Sequence, residues 1–247
     1  MNTDIRDETR IRVFGTLCAR PAIDGEFHML LWNIHKCISK RLPADITKLL
    51  QSVDMVLFQE ALLSERWEKL LSSFERFHWG FFRGFQFPGS YITAWVMTWS
   101  RYQMQDHAIH STAHREPILR TQKSSGLSYF PIVGRSEQLL VINTHAMNFN
   151  FGGPFRSQIE STMRMIEGHI GPMIWAWDFN TWSRGRKSFL KEIADSLGLR
   201  WITPEQDLRL LKLDHILCRG VEPLYAKVVG NIGSSDHKPI LAGFRMS

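Results

Sequence analysis

The chain has 247 residues, 44% of them hydrophobic and 22% charged, the balance of a globular protein large enough to bury a full core. A formal charge of +6 favours phosphate-bearing partners, whether nucleic acid or an anionic membrane, without specifying a fold. No apolar run approaches the roughly 20 residues that span a bilayer, and three scattered cysteines, Cys18, Cys37 and Cys218, match neither a disulfide framework nor a zinc-ligand pattern.

Residues 1–26 read as a polar lead-in of mixed charge, with a short strand at Ile11–Phe14. The lead-in lacks the apolar core of a secretory signal, so the expected setting is reducing and cytoplasmic, with export by a route that needs no N-terminal signal as the alternative. A strong strand runs from Phe27 to Asn33. Ile46, Leu49, Leu50 and Val53 then recur at helical spacing before the strand Met55–Phe58. Ser64 is placed to cap a helix whose apolar stripe is Trp67, Leu70, Leu71, Phe74 and Phe77. An aromatic, glycine-rich stretch, HWGFFRGFQFPGS, leads into a strand at Tyr91–Thr98. In the second half, strands are expected at Leu139–Asn143, Met173–Trp177, Leu213–Leu217 and Ile240–Phe244. Helices are expected over Phe155–Ile170, closed by Gly171-Pro172, and around Phe189–Leu197, stopping near Gly198. No linker or repeat interrupts this order, and residues 27–247 read as one α/β domain.

Polar signatures stand at the margins of these apolar runs: Asn33 in LLWNIHK, Gln59-Glu60 in VLFQEA, Asn143-Thr144-His145 in LLVINTH, Asp178-Phe179-Asn180 in IWAWDFN, Asp214 in LDHIL and Ser235-Asp236-His237 in GSSDHKPI. Groups of this kind at strand ends are costly unless they meet one another, a metal or a substrate. Some follow their strands and others precede them, so a sheet with antiparallel neighbours can collect all of them at one rim. Asn33 and Glu60 offer hard oxygen ligands suited to Mg²⁺, with Mn²⁺ as the alternative. His145 and His237 suit proton transfer and phosphate contact. Asp178 and Asn180 project to one side if the backbone stays extended, where they can orient a water and a phosphoryl oxygen. Phosphoester hydrolysis uses all of these parts.

The ordered set resembles the endonuclease/exonuclease/phosphatase superfamily from about Phe27 to the C-terminus. Within it, REPILR (Arg115 to Arg120), HAMNF (His145 to Phe149), DFNTWSRGR (Asp178 to Arg186) and SDHKPIL resemble the YafD-like bacterial branch. The resemblance implies a DNase I-like four-layer α/β/β/α sandwich, two packed mixed sheets flanked by helices, with the site at one rim. It implies Glu60 as principal metal ligand, Asn33 as its neighbouring amide, and Asp236 as a further metal or supporting carboxylate. It implies His237 as catalytic histidine oriented by Asp214, Asp178 and Asn180 as the pair around the nucleophile, and His145 as a phosphate-contacting histidine and acid for the leaving oxygen. Either His237 or Asp178 is the base. Arg115 sits in an Arg-Glu-Pro whose arginine touches substrate backbone in deoxyribonucleases. Asn143, Trp182 and Arg184 complete the expected substrate contacts, with Arg186 and Lys187 beside them; Lys36 reads as a surface charge. One departure is Trp177, where most relatives carry glycine, so its indole must either face away or narrow the floor of the site.

The expected activity is Mg²⁺-dependent hydrolysis of phosphodiesters, with nucleic acid favoured by the basic charge and by Trp175, Trp177 and Trp182 around Asp178. The alternative substrate is a phospholipid or phosphoinositide, which calls for an exposed apolar loop at a membrane surface. FFRGFQF (Phe81 to Phe87) is the segment offered for that loop, with a buried strand and turn as its other reading. A catalytically silent binding module is a third reading, against which every expected ligand is present. No protein partner is inferable.

Overall fold

Each strong apolar run becomes a strand whose alternate residues face two different cores. A computed structural model of the chain describes residues 11–14, 20–62, 64–74, 77–86, 93–112, 114–115, 122–148 and 153–247. In chain order the elements are β1 (Ile11–Phe14), β2 (Glu26–Asn33), α1 (Leu42–Leu50), β3 (Met55–Leu62), α2 (Glu65–Ser72), β4 (His78–Gln86), β5 (Thr93–Ser100), β6 (Asp106–Ser111) and β7 (Ser124–Pro131). They continue with β8 (Gln138–His145), α3 (Gly153–Ile166), β9 (Met173–Asp178), α4 (Arg184–Ser196), β10 (Arg200–Ile202), β11 (Asp214–Arg219), β12 (Val221–Val228) and β13 (Ile240–Met246).

The strands form two mixed sheets, ordered β1-β4-β5-β3-β2-β13-β12 and β10-β11-β9-β8-β7-β6. In each, one parallel pair lies among antiparallel neighbours: β2 with β3 and β8 with β9. Period-two alternation then builds the layers. Met29, Leu31, Leu57, Val141, Ile174 and Ile216 fill the space between the sheets. On the outer face of the first sheet, Leu30, Trp32 and Val56 pack with Ile46 of α1 and Trp67 of α2. On that of the second, Ile142, Trp175 and Trp177 meet Phe155 of α3 and Leu190 of α4. The result is the expected α/β/β/α sandwich.

Several segments differ from expectation. The glycine-rich HWGFFRGFQ is strand β4, and Phe81 and Phe82 are buried, so this part of FFRGFQF is not an exposed membrane loop. Phe82 lies so close over Gly126 of β7 that a Cβ there would come within 2.3 Å of its ring. Strands β6, β7, β10 and β12 lack the apolar runs by which the others are recognised. The described part of the lead-in belongs to the domain: β1 pairs with β4 and Ile23 is buried between the sheets. Residues 1–10 and 15–19 of the lead-in, 91–92 of the expected strand, 116–120 of REPILR, Phe149, Phe87 and the Phe85 side chain lie outside the described residues.

Candidate active site

Both parallel pairs end at the same rim. Register sets Asn33 beside Gln59 in the first sheet and His145 beside Asp178 in the second, while antiparallel β11 places Asp214 opposite Asp178. Glu60 sits in a bulge of β3, where the pairing with β5 shifts between Phe58 and Ala61 and its φ is 54°. A bulge re-aims a side chain that a regular strand would hold in alternation. Beyond Asn33, His35, Lys36 and Cys37 all take positive φ, and this turn brings Lys36 Nζ to 3.8 Å from Glu60 Oε2.

Side chains from both sheets meet at this rim. Asn33 Nδ2 donates to Asp178 Oδ2 at 3.1 Å. His145 Nε2 lies 3.5 Å from Glu60 Oε1 and 3.9 Å from Asp178 Oδ2. His237, on the loop entering β13, places Nδ1 at 3.0 Å from Asp214 Oδ1 and Nε2 at 3.7 Å from Asp178 Oδ2. Glu60 and His237 are therefore linked through His145 and Asp178, at one rim. The Asn180 amide N–H donates to Asp178 Oδ1 at 3.1 Å.

Burial and charge set the protonation states. Burial pulls His237 down, but the charge and hydrogen bond of Asp214, with the charges of Asp178 and Asp236, carry it up to about 10. Burial raises Asp178 to about 6, against the pull of His237 and the hydrogen bonds from Asn33 and Asn180 and with a push from Asp214. His145 is held well below its ordinary value, first by burial and then by Lys123, His237 and Lys36. It is neutral at pH 7, which speaks against its expected part as the acid for the leaving oxygen.

Other expected site residues are placed differently. Asn143 is fully buried: its amide donates to the carbonyls of Phe58 at 3.2 Å and Met97 at 2.9 Å, and its carbonyl accepts from Gln59 Nε2 at 2.6 Å. It ties one sheet to the other and has no face toward substrate. Asn180 follows the end of β9 with φ 49°, so the backbone is not extended there, and its side-chain amide donates to Ala146 O at 3.0 Å. Asp236 is 61% exposed, with Oδ1 3.5 Å from His35 Nδ1; among the described residues no contact brings it to Glu60. Arg186 is buried and donates to the carbonyls of Met147, Asn148 and Asn180, which makes it a clamp for the site loops rather than a phosphate contact. Arg115, Arg184 and Lys187 are exposed. Trp175 and Trp177 are buried in the core under α3 and α4, so the Trp177 indole faces away from the site, and Trp182 alone of the three reaches the surface, 51% exposed.

Two cations at the site escaped the sequence reading, and a third, Lys36, was read differently. Lys123, buried, has Nζ 3.1 Å from His145 Nε2. Arg209 grips Asp207 through two nitrogens and donates to Asp214 Oδ2 at 2.8 Å. Lys36 faces Glu60 instead of being a plain surface charge. Neither Lys123 nor Arg209 sits at the end of an apolar run, and only the partial alternation in DLRLLKLD hints at Arg209.

The donor set fits a hard divalent cation. Asp178, Asp214 and His237 offer donor atoms within 4.8 Å of one another, but Asp214 is already committed to Arg209 and His237. Glu60 is not: its contacts to Lys36 and His145, at 3.8 and 3.5 Å, are longer than hydrogen bonds. The one thiol nearby among the described residues, Cys37, is pushed up to about 12 by burial and stays protonated, so among them no soft ligand competes.

A sequence profile of the endonuclease/exonuclease/phosphatase family matches residues 30–237. The UPF0294 protein of Vibrio campbellii is 30% identical over 232 residues, covering 91% of this chain and 79% of its own. An endonuclease/exonuclease/phosphatase from Bacteroides vulgatus superposes with a TM-score of 0.70 at 14% identity, over 91% of this chain and all of its own. Danio rerio TDP2, solved with a single-strand DNA product, gives 0.62 at 15% identity, over 90% and 99% of the two chains.

Proposed function

The chain belongs to the endonuclease/exonuclease/phosphatase family and, within it, groups with the UPF0294 proteins; on that premise we propose that it hydrolyses phosphodiester bonds by attack of water, with Mg²⁺ or Mn²⁺ bound. The observation that carries this reading is the unbroken line Glu60, His145, Asp178, His237, Asp214, in which each neighbouring pair lies within 4 Å.

Glu60 and Asn33 would hold the cation, whose part is to polarise the phosphoryl group and neutralise charge on the leaving oxygen. The chain's own residues divide the remaining chemistry. Asp178, ionised above about pH 6 and held by Asn33 and Asn180, is the group suited to orient water and accept its proton. Asp214 occupies Nδ1 of His237, so Nε2 of a charged imidazolium is left to donate to a phosphoryl oxygen as charge builds there. On this reading Asp178 is the base and His237 the charged donor. Neutral His145, braced by Lys123, separates Glu60 from Asp178 and offers one further hydrogen bond.

Two substrate classes are favoured by particular features. Nucleic acid fits the positive charge, the exposed Trp182 as a stacking surface and Arg184 beside it as a phosphate contact, and TDP2 was solved with a DNA strand. A phospholipid head group fits three exposed leucines beside Asp214, at 208, 210 and 211. Hydrolysis is to be measured on single- and double-stranded DNA, RNA, a phosphoinositide, sphingomyelin and a sugar monoester, with Mg²⁺ and with chelator. The proposal expects at least one diester to be cleaved, activity to vanish with chelator and return with Mg²⁺, and His237→Ala to lose about 10²–10⁴-fold. Cleavage that survives the chelator or the substitution overturns it.

A further inference from the structure

Between β10 and β11 the chain runs Asp207-Leu208-Arg209-Leu210-Leu211-Lys212-Leu213. Its polar and apolar side chains are sorted against the usual rule. Arg209 turns inward to Asp207 and Asp214, while Leu208, Leu210 and Leu211 are 94%, 97% and 60% exposed. The ion pairs fix the loop at its middle, and Lys212 O accepts from Thr181 Oγ1 at 3.1 Å. That bond ties it to the segment carrying the exposed Trp182. The protruding leucines therefore stand beside the site, one or two residues from the arginine that touches Asp214.

We propose that this loop is a membrane-docking element that inserts Leu208, Leu210 and Leu211 into an anionic phospholipid bilayer and presents the site to lipid head groups. The inference rests on the reading of the site as a phosphodiesterase. Two observations select a bilayer as the occupant. Cationic groups flank the leucines, with Lys212 partly exposed on the loop and Arg184 and Lys187 exposed at the start of α4, which matches an anionic surface rather than an acidic-poor protein face. The leucines also protrude at the edge of the site, where a protein partner seated on them would obstruct the approach to Asp214 and His237. A bilayer brings the diester with it. Insertion of apolar tips beside a basic rim is how interfacial proteins combine burial with charge.

The test uses the full chain carrying His237→Ala, so that binding is read without turnover, in flotation with vesicles of phosphatidylcholine alone and of phosphatidylcholine with phosphatidylglycerol. Strong flotation is expected with the anionic vesicles, weakened but not abolished by high salt. Leu210→Ser should weaken it several-fold and the triple Leu208→Ser, Leu210→Ser, Leu211→Ser should abolish it, with the melting temperature unchanged. The proposal is overturned by absence of flotation, by triple-variant binding equal to the parent, or by light scattering that shows the leucines joining two copies of the chain. It is equally overturned if DNA or RNA, and no vesicle, binds in a leucine-dependent way. Because binding is scored on a protein that cannot turn over, failure of hydrolysis and failure of docking are separate results.

Discussion

Asp214 is gripped from two sides, by His237 at 3.0 Å and Arg209 at 2.8 Å, and the second grip fixes how it presents to the first. Arg209→Gln removes that support while leaving both acid and imidazole in place. We expect turnover to fall about 10–100-fold, as for lost partners of a catalytic ligand, with Arg209→Lys intermediate; kcat/KM across pH checks this, and an unchanged profile refutes it. Asn143 behaves otherwise. Asn143→Ala takes from Gln59 Nε2 its shorter hydrogen bond and from two buried backbone carbonyls a side-chain donor, so urea unfolding should show a loss of about 2–3 kcal/mol with activity per folded molecule preserved. Asn33, Glu60, Asp178, Asp214 and His237 were legible in the sequence because each is a polar group forced against the end of an apolar run. Lys123 and Arg209 were not, since long basic side chains reach a site from loops that carry no periodic signal. Asn143 was legible as a buried polar group, but sequence alone does not say whether such a group faces a substrate or the opposing sheet.

Strands with continuous apolar stretches, such as β2, β3, β8 and β9, were readable because they are covered on both faces. Strand β4 was hidden by its glycines, of which Gly80 admits the Phe82 ring and Gly84 the Ala94 backbone, and β6, with no fully buried residue, lacked a core face to betray it. Helix α2 begins where expected, with Ser64 Oγ accepting from Trp67 N at 3.4 Å. In β9, Trp177 stands edge-on to Trp175 and Phe179 in the layer under the helices. Trp177→Ala should therefore cost about 3–5 kcal/mol of stability while leaving the site's chemistry intact. Denaturant melts and single-turnover rates on the folded fraction decide between that and a role in the pocket: a large kinetic defect would place the indole at the substrate.

At the scale of the molecule, His215 couples stability to acidity. Burial, opposed by the charge of Asp214 and aided by Arg209 and Lys187, lowers its pKa from 6.5 to about 4, and Nε2 lies 2.7 Å from Thr181 Oγ1. Between those values the unfolded chain holds the extra proton, so this contribution is whole above pH 6.5 and is lost as pH falls toward 4. Relative to His215→Gln, the wild type should lose on the order of 1–3 kcal/mol between pH 7.5 and 4.5, as chemical denaturation at each pH would record; parallel curves would refute it. His145 adds a second slope of the same sign. The bond from Asn33 to Asp178 crosses from one layer of strands to the other at the site itself. The molecule is thus a hinge-less clasp, whose two jaws must stay in phase for the proposed chemistry. Slippage of one jaw by a fraction of a side chain silences it long before either unravels, so in rising urea turnover should vanish while the circular-dichroism signal of intact strands persists.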